Sequence, residues 1–237
     1  MNISKKHTSS EQDTIFKSIF GDDWEKLPTV LKKHYANRPY SQDKTVVKGH
    51  LDVLCKPPLL WMAPLLKLLG QIPAKNATNI PVTVTFTSDP NSASFAFRRE
   101  FYFTPQTTYA FNSKMLQQSQ NKVSEIMRFG FSWDMTYHWE EETIEHNSDT
   151  NKKKDEINTA TSKKGKVVLR HRGYSLHIFG FSFPIPLTLF LGKGYAEETA
   201  IDEHSFSMCT HINHPWWGKI YEYKGQFHFE ENSASHE

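Results

Sequence analysis

The passage Tyr174–Gly192, YSLHIFGFSFPIPLTLFLG, constrains the fold most, because it is the longest apolar stretch of the chain and cannot be a spanning helix. Pro184 and Pro186 each remove a backbone donor and clash with the preceding turn, and Gly180 and Gly192 flank them. Its period is two. From Phe179 the odd positions read Phe, Phe, Phe, Ile, Leu, Leu, Leu, while the even ones are mostly small, polar or proline. One face is therefore expected to be buried. Tyr174, Leu176 and Ile178 occupy even positions, so the phase flips at Ile178 to Phe179, as a bulge beside Gly180 would produce.

The same alternation recurs from Ile80 onward. Val82, Val84 and Phe86 alternate with threonines, and Phe131, Trp133, Met135, Tyr137 and Trp139 alternate with Ser132, Asp134, Thr136, His138 and Glu140. Within Ser94–Phe103 the odd positions read Phe95, Phe97, Arg99, Phe101 and Phe103, so the pleat puts Arg99 on the side of four phenylalanines. Further strands are expected over Val46–Leu54 (of edge quality), Tyr109–Met115, Val123–Phe129, Val167–Ile178, Tyr195–Ile201, Phe206–Ile212 and Lys219–Phe229. Helical spacing is confined to the first third. Ile15, Phe16, Ile19 and Phe20 form one short amphipathic stretch; Leu27, Val30, Leu31, His34 and Tyr35 form a second. A third, Leu59–Leu69, is almost wholly apolar and must be buried or lie on a greasy surface, with Pro64 limiting it.

A chain of 237 residues in this pattern is expected to be one domain, with residues 1–13 and 230–237 as flexible ends and the lysine-rich 147–166 as a mobile loop. The element order is that of a lipocalin-like or fatty-acid-binding-protein-like antiparallel barrel, or a strongly curved sheet, of about ten strands behind short N-terminal helices. The alternative is a START-like helix-grip, which would normally end on a long helix where this chain ends on strands. A net charge of +2 without a basic, aromatic-laced face excludes nucleic acid as the expected partner. The N-terminus shows no apolar signal core, no transmembrane segment is expected, and the cytoplasm is the expected location. Cys55 and Cys209 are expected to be reduced, packed thiols.

Several segments together resemble the bacterial family of domain of unknown function 4166. These are Gly21-Asp22 with Leu27-Pro28 and His34, then Leu69, Pro73 and Ile80–Val84, then Phe97–Phe101 and Phe111-x-Ser113. Pro184-Ile185-Pro186 with Leu189, Pro215-x-x-Gly218 and Tyr223-x-Gly225 complete the set, which covers nearly all of the chain. Phe97 stands where the family usually has Trp, and the lysine-rich insertion is a further departure. The resemblance implies no established activity; some relatives carry this domain behind a reductase-like, nucleotide-binding one, which implies small-molecule metabolism and a reductase-like partner.

Arg99 is the first candidate for a site. A guanidinium among phenylalanines must meet a carboxylate, Glu125 or Glu197 being the internal candidates, or the anionic group of a ligand. The leading reading is a binding module that holds a small apolar or amphipathic, possibly anionic, ligand inside the barrel, with Arg99 as anchor and Phe97, Phe101, Trp133, Tyr137 and His177 as lining. An isomerase or hydrolase using His34 or His177 is the enzymatic alternative, although no nucleophile elbow or acid–base pair singles itself out. A solid-cored interaction domain meeting its partner through Trp216-Trp217 is the third. Leu59–Leu69 offers a portal lid or a peripheral membrane contact, against a plain core plug. His204, His211 and His214 beside Cys209 are not expected to hold a metal, and no cofactor can be named.

Overall fold

Period-two segments bury one face each, and a sheet long enough to close on itself removes its own edges. The computed structural model, which describes residues 13–141 and 165–229, shows that closure. The first seven strands pair in chain order: β1 (Lys44–Cys55), β2 (Ala77–Ser88), β3 (Phe95–Thr104), β4 (Thr107–Ser119), β5 (Lys122–Ile126), β6 (Phe131–Glu141) and β7 (Gly165–Ile178). β8 (Phe181–Ile185) folds back on β7 alone. The lower part of β7 pairs with β9 (Lys193–Ala200), followed by β10 (Ser205–His214) and β11 (Gly218–Phe229), which returns to β1. The result is a ten-stranded antiparallel barrel with β8 hung outside it. No helix-grip forms, since the ring closes and no α-helix among the described residues exceeds six residues. β1 is not the edge strand its composition suggests, because β2 and β11 pair with it on both sides.

One end of the barrel is plugged by the N-terminal helices. Thr14 accepts from the Lys17 amide at 3.1 Å and caps α1 (Ile15–Phe20), whose four apolar residues are all buried. A 3₁₀ turn, Gly21–Lys26, leads to α2 (Thr29–His34). Phe16 and Phe20 reach the β6 residue Tyr137 with ring centroids 5.5 and 5.9 Å away. At the other end lie α3 (Ala63–Leu68), the turn Met127–Gly130, the β7–β8 hairpin, α4 (Thr188–Leu191) and the turn Pro215–Gly218. Strand register gathers them there: Cys55 pairs with Tyr221, Asn213 with Lys193 and Phe131 with Leu176.

Two apolar segments behave differently from their sequence pattern. Of 59–69 only the last six residues before Leu69 are helical, Pro64 sits in their first turn, and only Leu59 and Leu66 are buried; Trp61 is 76% exposed. In 174–192 the expected buried face is absent. Phe179, Phe181 and Phe183 are 95, 67 and 53% exposed, because among the described residues β8 has a neighbour on one side only and no layer covers it. The phase flip at Phe179 is a two-residue hairpin turn and not a bulge: Phe179 and Gly180 both have positive φ, 50° and 81°, the requirement of the tight turn that matches strand twist.

Residues 147–164 of the lysine-rich segment and the two ends, 1–12 and 230–237, lie outside the described residues, while Gly165 and Lys166 already belong to β7. Both cysteines are free, Cys55 buried and its thiol pushed up to about 11 by burial. Among the described residues no helix is long and apolar enough to cross a membrane.

Candidate functional site

The pleat of β3 turns Arg99 inward beside Phe97, and β4 places Phe111 directly opposite Arg99 in the register. The guanidinium is sandwiched between those two rings, 3.9 Å from the Phe97 centroid and 3.7 Å from that of Phe111. β5 supplies its counter-ion: Arg99 Nη2 donates to Glu125 Oε1. Ser113, two residues beyond Phe111, ties the pair together, accepting from Arg99 Nη2 at 3.0 Å and donating to Glu125 Oε1 at 2.7 Å. Arg99 and Glu125 are each 4% exposed, so this is a desolvated ion pair in the middle of the barrel. Phe97, Arg99, Phe111 and Ser113, which come from two of the segments that carry the family resemblance, thus converge on one structure.

Two small cavities flank the pair. One, of about 30 Å3, lies on the side of the N-terminal helices and is bordered by Tyr35, Tyr137 and Glu198. The other, of about 70 Å3, lies toward α3 and is bordered by Leu59, Leu66, Ile72, Met127 and Tyr174. Arg99, Glu125, Trp133, Thr210 and Tyr223 line both. Each has room for water-sized groups. Two hydrogen-bonding atoms on the walls of the larger cavity, Arg99 Nε and Tyr221 Oη, are buried without a partner among the described residues. Burial pushes the Tyr221 hydroxyl well up, so it remains a donor.

Beside the smaller cavity a second buried group forms. Tyr35 Oη donates to Glu198 Oε2, and His34 Nε2 stands 3.7 Å from the same oxygen. Burial and the neighbouring Glu198 carboxylate push the Tyr35 hydroxyl well up. The His34 ring is wedged between Phe86 and Phe206 and lines neither cavity.

The residues expected from the sequence divide accordingly. Arg99, Phe97, Trp133 and Tyr137 line one or both cavities. Phe101 is fully buried against Phe103 and Tyr223 and lines neither. His177 lies near the exposed hairpin, 3.1 Å from Ser132 Oγ, and also borders neither. Its neighbourhood holds a serine and a carboxylate, but Asp134 accepts from Ser132, Ser124 and Ser175 and not from the imidazole, so nothing orients that ring as a base. Of the two carboxylates considered for Arg99, Glu197 instead faces outward, held by Lys166 at 2.7 Å and Tyr195 at 2.8 Å. Glu198, Tyr35 and Tyr221 were not singled out by the sequence pattern.

His211 and His214 do not converge, because three steps along a strand reverse the face: His211 stacks on Tyr195 outside, while His214 is buried against Trp217. Cys209, His211 and Glu222 do bring a sulfur, an imidazole nitrogen and a carboxylate oxygen within 4.8 Å of one another on the outer wall. Glu222 is already engaged by Lys219 and Lys224, which leaves that donor set short of a free carboxylate.

Residues 27–227 match the family described as Domain of unknown function (DUF4166), which accounts for more than four fifths of the chain. No curated protein and no solved structure matches it.

Proposed function

Because the chain belongs to the DUF4166 family, whose description assigns no activity, we propose from the barrel interior alone that it binds a small, mostly apolar ligand carrying one neutral polar head group. The observation that supports this is the pairing of Arg99 Nε and Tyr221 Oη as unpartnered buried groups on the wall of one apolar cavity. Leaving a donor buried and unmatched costs about 1–3 kcal/mol each. A carbonyl, hydroxyl or ether oxygen in the cavity recovers that energy. The anionic ligand considered from the sequence gives way to a neutral one, since Glu125 already balances the Arg99 charge and a second anion beside that carboxylate would be repelled.

The cavity of about 70 Å3 receives the head group, and the apolar remainder runs out under residues 59–72 by displacing Leu59 and Leu66. Those two are the fully buried side chains of a segment whose Leu60, Trp61, Leu65 and Leu68 are exposed, so the displacement disturbs little of the barrel. A cytoplasmic location and a reductase-like partner that makes or consumes the ligand belong to the same proposal. Native mass spectrometry of the protein purified without added ligand, together with thermal shifts against medium-chain alcohols, ketones and carboxylic acids, tests it. Neutral members of the panel should stabilise the wild type, and Leu66→Trp, which fills the cavity, should abolish the shift while leaving the barrel folded. Equal shifts for wild type and Leu66→Trp, or no shift and a clean apo mass, would overturn it.

A further inference from the structure

The end of the barrel opposite the N-terminal helices gathers most of the exposed large apolar side chains, and a concentration of that kind on a protein surface marks an interaction site. Of the fifteen large apolar side chains exposed among the described residues, all but Tyr40 and Ile201 lie there. They come from five separate segments: 57–69, 127–130, the β7–β8 hairpin, α4 and the 215–217 turn. Each ends in a prominent side chain, namely Trp61, Phe129, Phe179, Phe190 and Trp216, exposed by 76, 63, 95, 66 and 71%. Phe129 and Phe179 hold left-handed backbone, φ 61° and 50°, each ahead of a glycine, a conformation that is an outlier for a bulky residue. The chain thus accepts local strain to keep two phenylalanines at loop tips, where they contribute nothing to the core.

Charge is distributed to match. Residues 55–80, 101–109, 126–134, 172–194 and 212–222, which build this end, contain seven lysines and arginines against Asp134 and Glu222. The whole chain has 28 basic and 26 acidic residues, which leaves 21 against 24 elsewhere. Moreover, Asp134 is enclosed by serine hydroxyls and Glu222 is paired with Lys219. Beside α4 an open groove of about 550 Å3 is lined by Lys193, His171 and His211 among others, with no carboxylate among the described residues on its walls.

We propose that this end of the barrel docks on the surface of an anionic phospholipid bilayer, the aromatic tips entering the boundary between head groups and acyl chains and the basic rim meeting lipid phosphates. Aromatic side chains on separate loop tips are suited to that boundary, and each lysine or arginine near an anionic surface adds to the attraction. A protein partner fits less well, because lysine is depleted from protein interfaces and five of the seven basic residues here are lysines. The inference uses only exposed side chains and stands whether or not the interior binds a ligand.

Co-sedimentation of the full chain with vesicles tests it, using phosphatidylcholine alone and phosphatidylcholine mixed with phosphatidylserine, at low and high salt. Binding is expected to the mixed vesicles, weakened by salt, with a blue shift of tryptophan emission. Phe179→Ser with Phe181→Ser should lower the affinity about tenfold or more, and Lys67→Glu with Arg128→Glu should lower it for mixed vesicles. All four side chains are exposed, so unchanged thermal unfolding shows that the variants remain folded. Three results would each overturn the proposal: no binding to mixed vesicles at low salt, binding that ignores both double variants, or concentration-dependent dimers that lose this patch to a second copy.

Discussion

Replacing Arg99 by Met should unfold the barrel more readily than its conservative volume suggests. The guanidinium and the Glu125 carboxylate are both 4% exposed, so removing the cation leaves an anion with no route to water. Breaking one side of such a pair costs about 3–5 kcal/mol. Loss of the cation from between Phe97 and Phe111 adds about 1 kcal/mol, since Met keeps the apolar contact and loses only the electrostatic part. A combined loss of about 4–6 kcal/mol is a large share of a typical domain stability of about 5–15 kcal/mol and lowers Tm by roughly 8–24 °C for a chain of this size.

The decisive variant is the double replacement Arg99→Met with Glu125→Met. It removes both charges and fills the space with thioether side chains, and buried pairs exchanged in this way are often neutral or more stable. Ser113 loses both partners but keeps the Phe97 carbonyl at 3.4 Å for its proton. Urea unfolding of the wild type, both single variants and the double variant closes a cycle, with an expected coupling energy of at least about 4 kcal/mol, because the double variant recovers what each single one loses. If Arg99→Met lies within about 1 kcal/mol of the wild type, or if the single losses simply add, the pair is not desolvated as described. The account of the cavity wall would then fail with it.

Three further outcomes are expected. Burial holds the His171 imidazole down at about 4, with Nδ1 accepting from Trp133 Nε1 at 2.9 Å; the unfolded chain takes up that proton near pH 6.5, so stability is full above pH 6.5 and is lost as pH falls toward 4. Discounted for partial exposure, the loss is of order 1–2 kcal/mol, and a His171→Gln variant should flatten that part of the stability–pH curve. A Cβ at Gly225 would sit 1.9 Å from the His50 carbonyl oxygen across the β1–β11 ladder, so Gly225→Ala should cost more than about 2 kcal/mol by thermal unfolding. Cys55, buried and raised to about 11, should resist a thiol-specific disulfide reagent at pH 8 in the folded protein, while the half-buried Cys209 reacts first; equal rates would contradict the packing around β1.

The strands were legible wherever large residues mark one face, as in β6, where Trp133 and Tyr137 point to the cavities as their alternation requires. β9 shows how that reading fails. Tyr195 and Glu197 look like the packed face and Gly194, Ala196 and Glu198 like the open one, yet Ala196 and Glu198 are buried. The interior opposite β9 is occupied by the Trp133 indole, 2.8 Å from where a Cβ on Gly194 would be, so small residues face inward there and size misreports direction. Glu125 was named as a partner for Arg99 because an isolated guanidinium demands one, an argument from charge that needs no contact map. The Ser113 bridge to that pair and the unpartnered Tyr221 on the same cavity wall depend on three-dimensional register that no single strand encodes.

The passage 174–192 carries the opposite lesson. Its alternation is real, but alternation states only that one face avoids water and not what covers it. In β6 the cover is the rest of the barrel; in β8 no element of the described chain provides it, and Phe179, Phe181 and Phe183 stand in the open. A segment can therefore obey the strand pattern for the sake of a surface outside the fold. That is the physical ground for placing a lipid boundary there: a chain that closes its sheet at every other edge among the described residues retains one apolar hairpin at an end whose segments carry seven basic residues against two acidic ones.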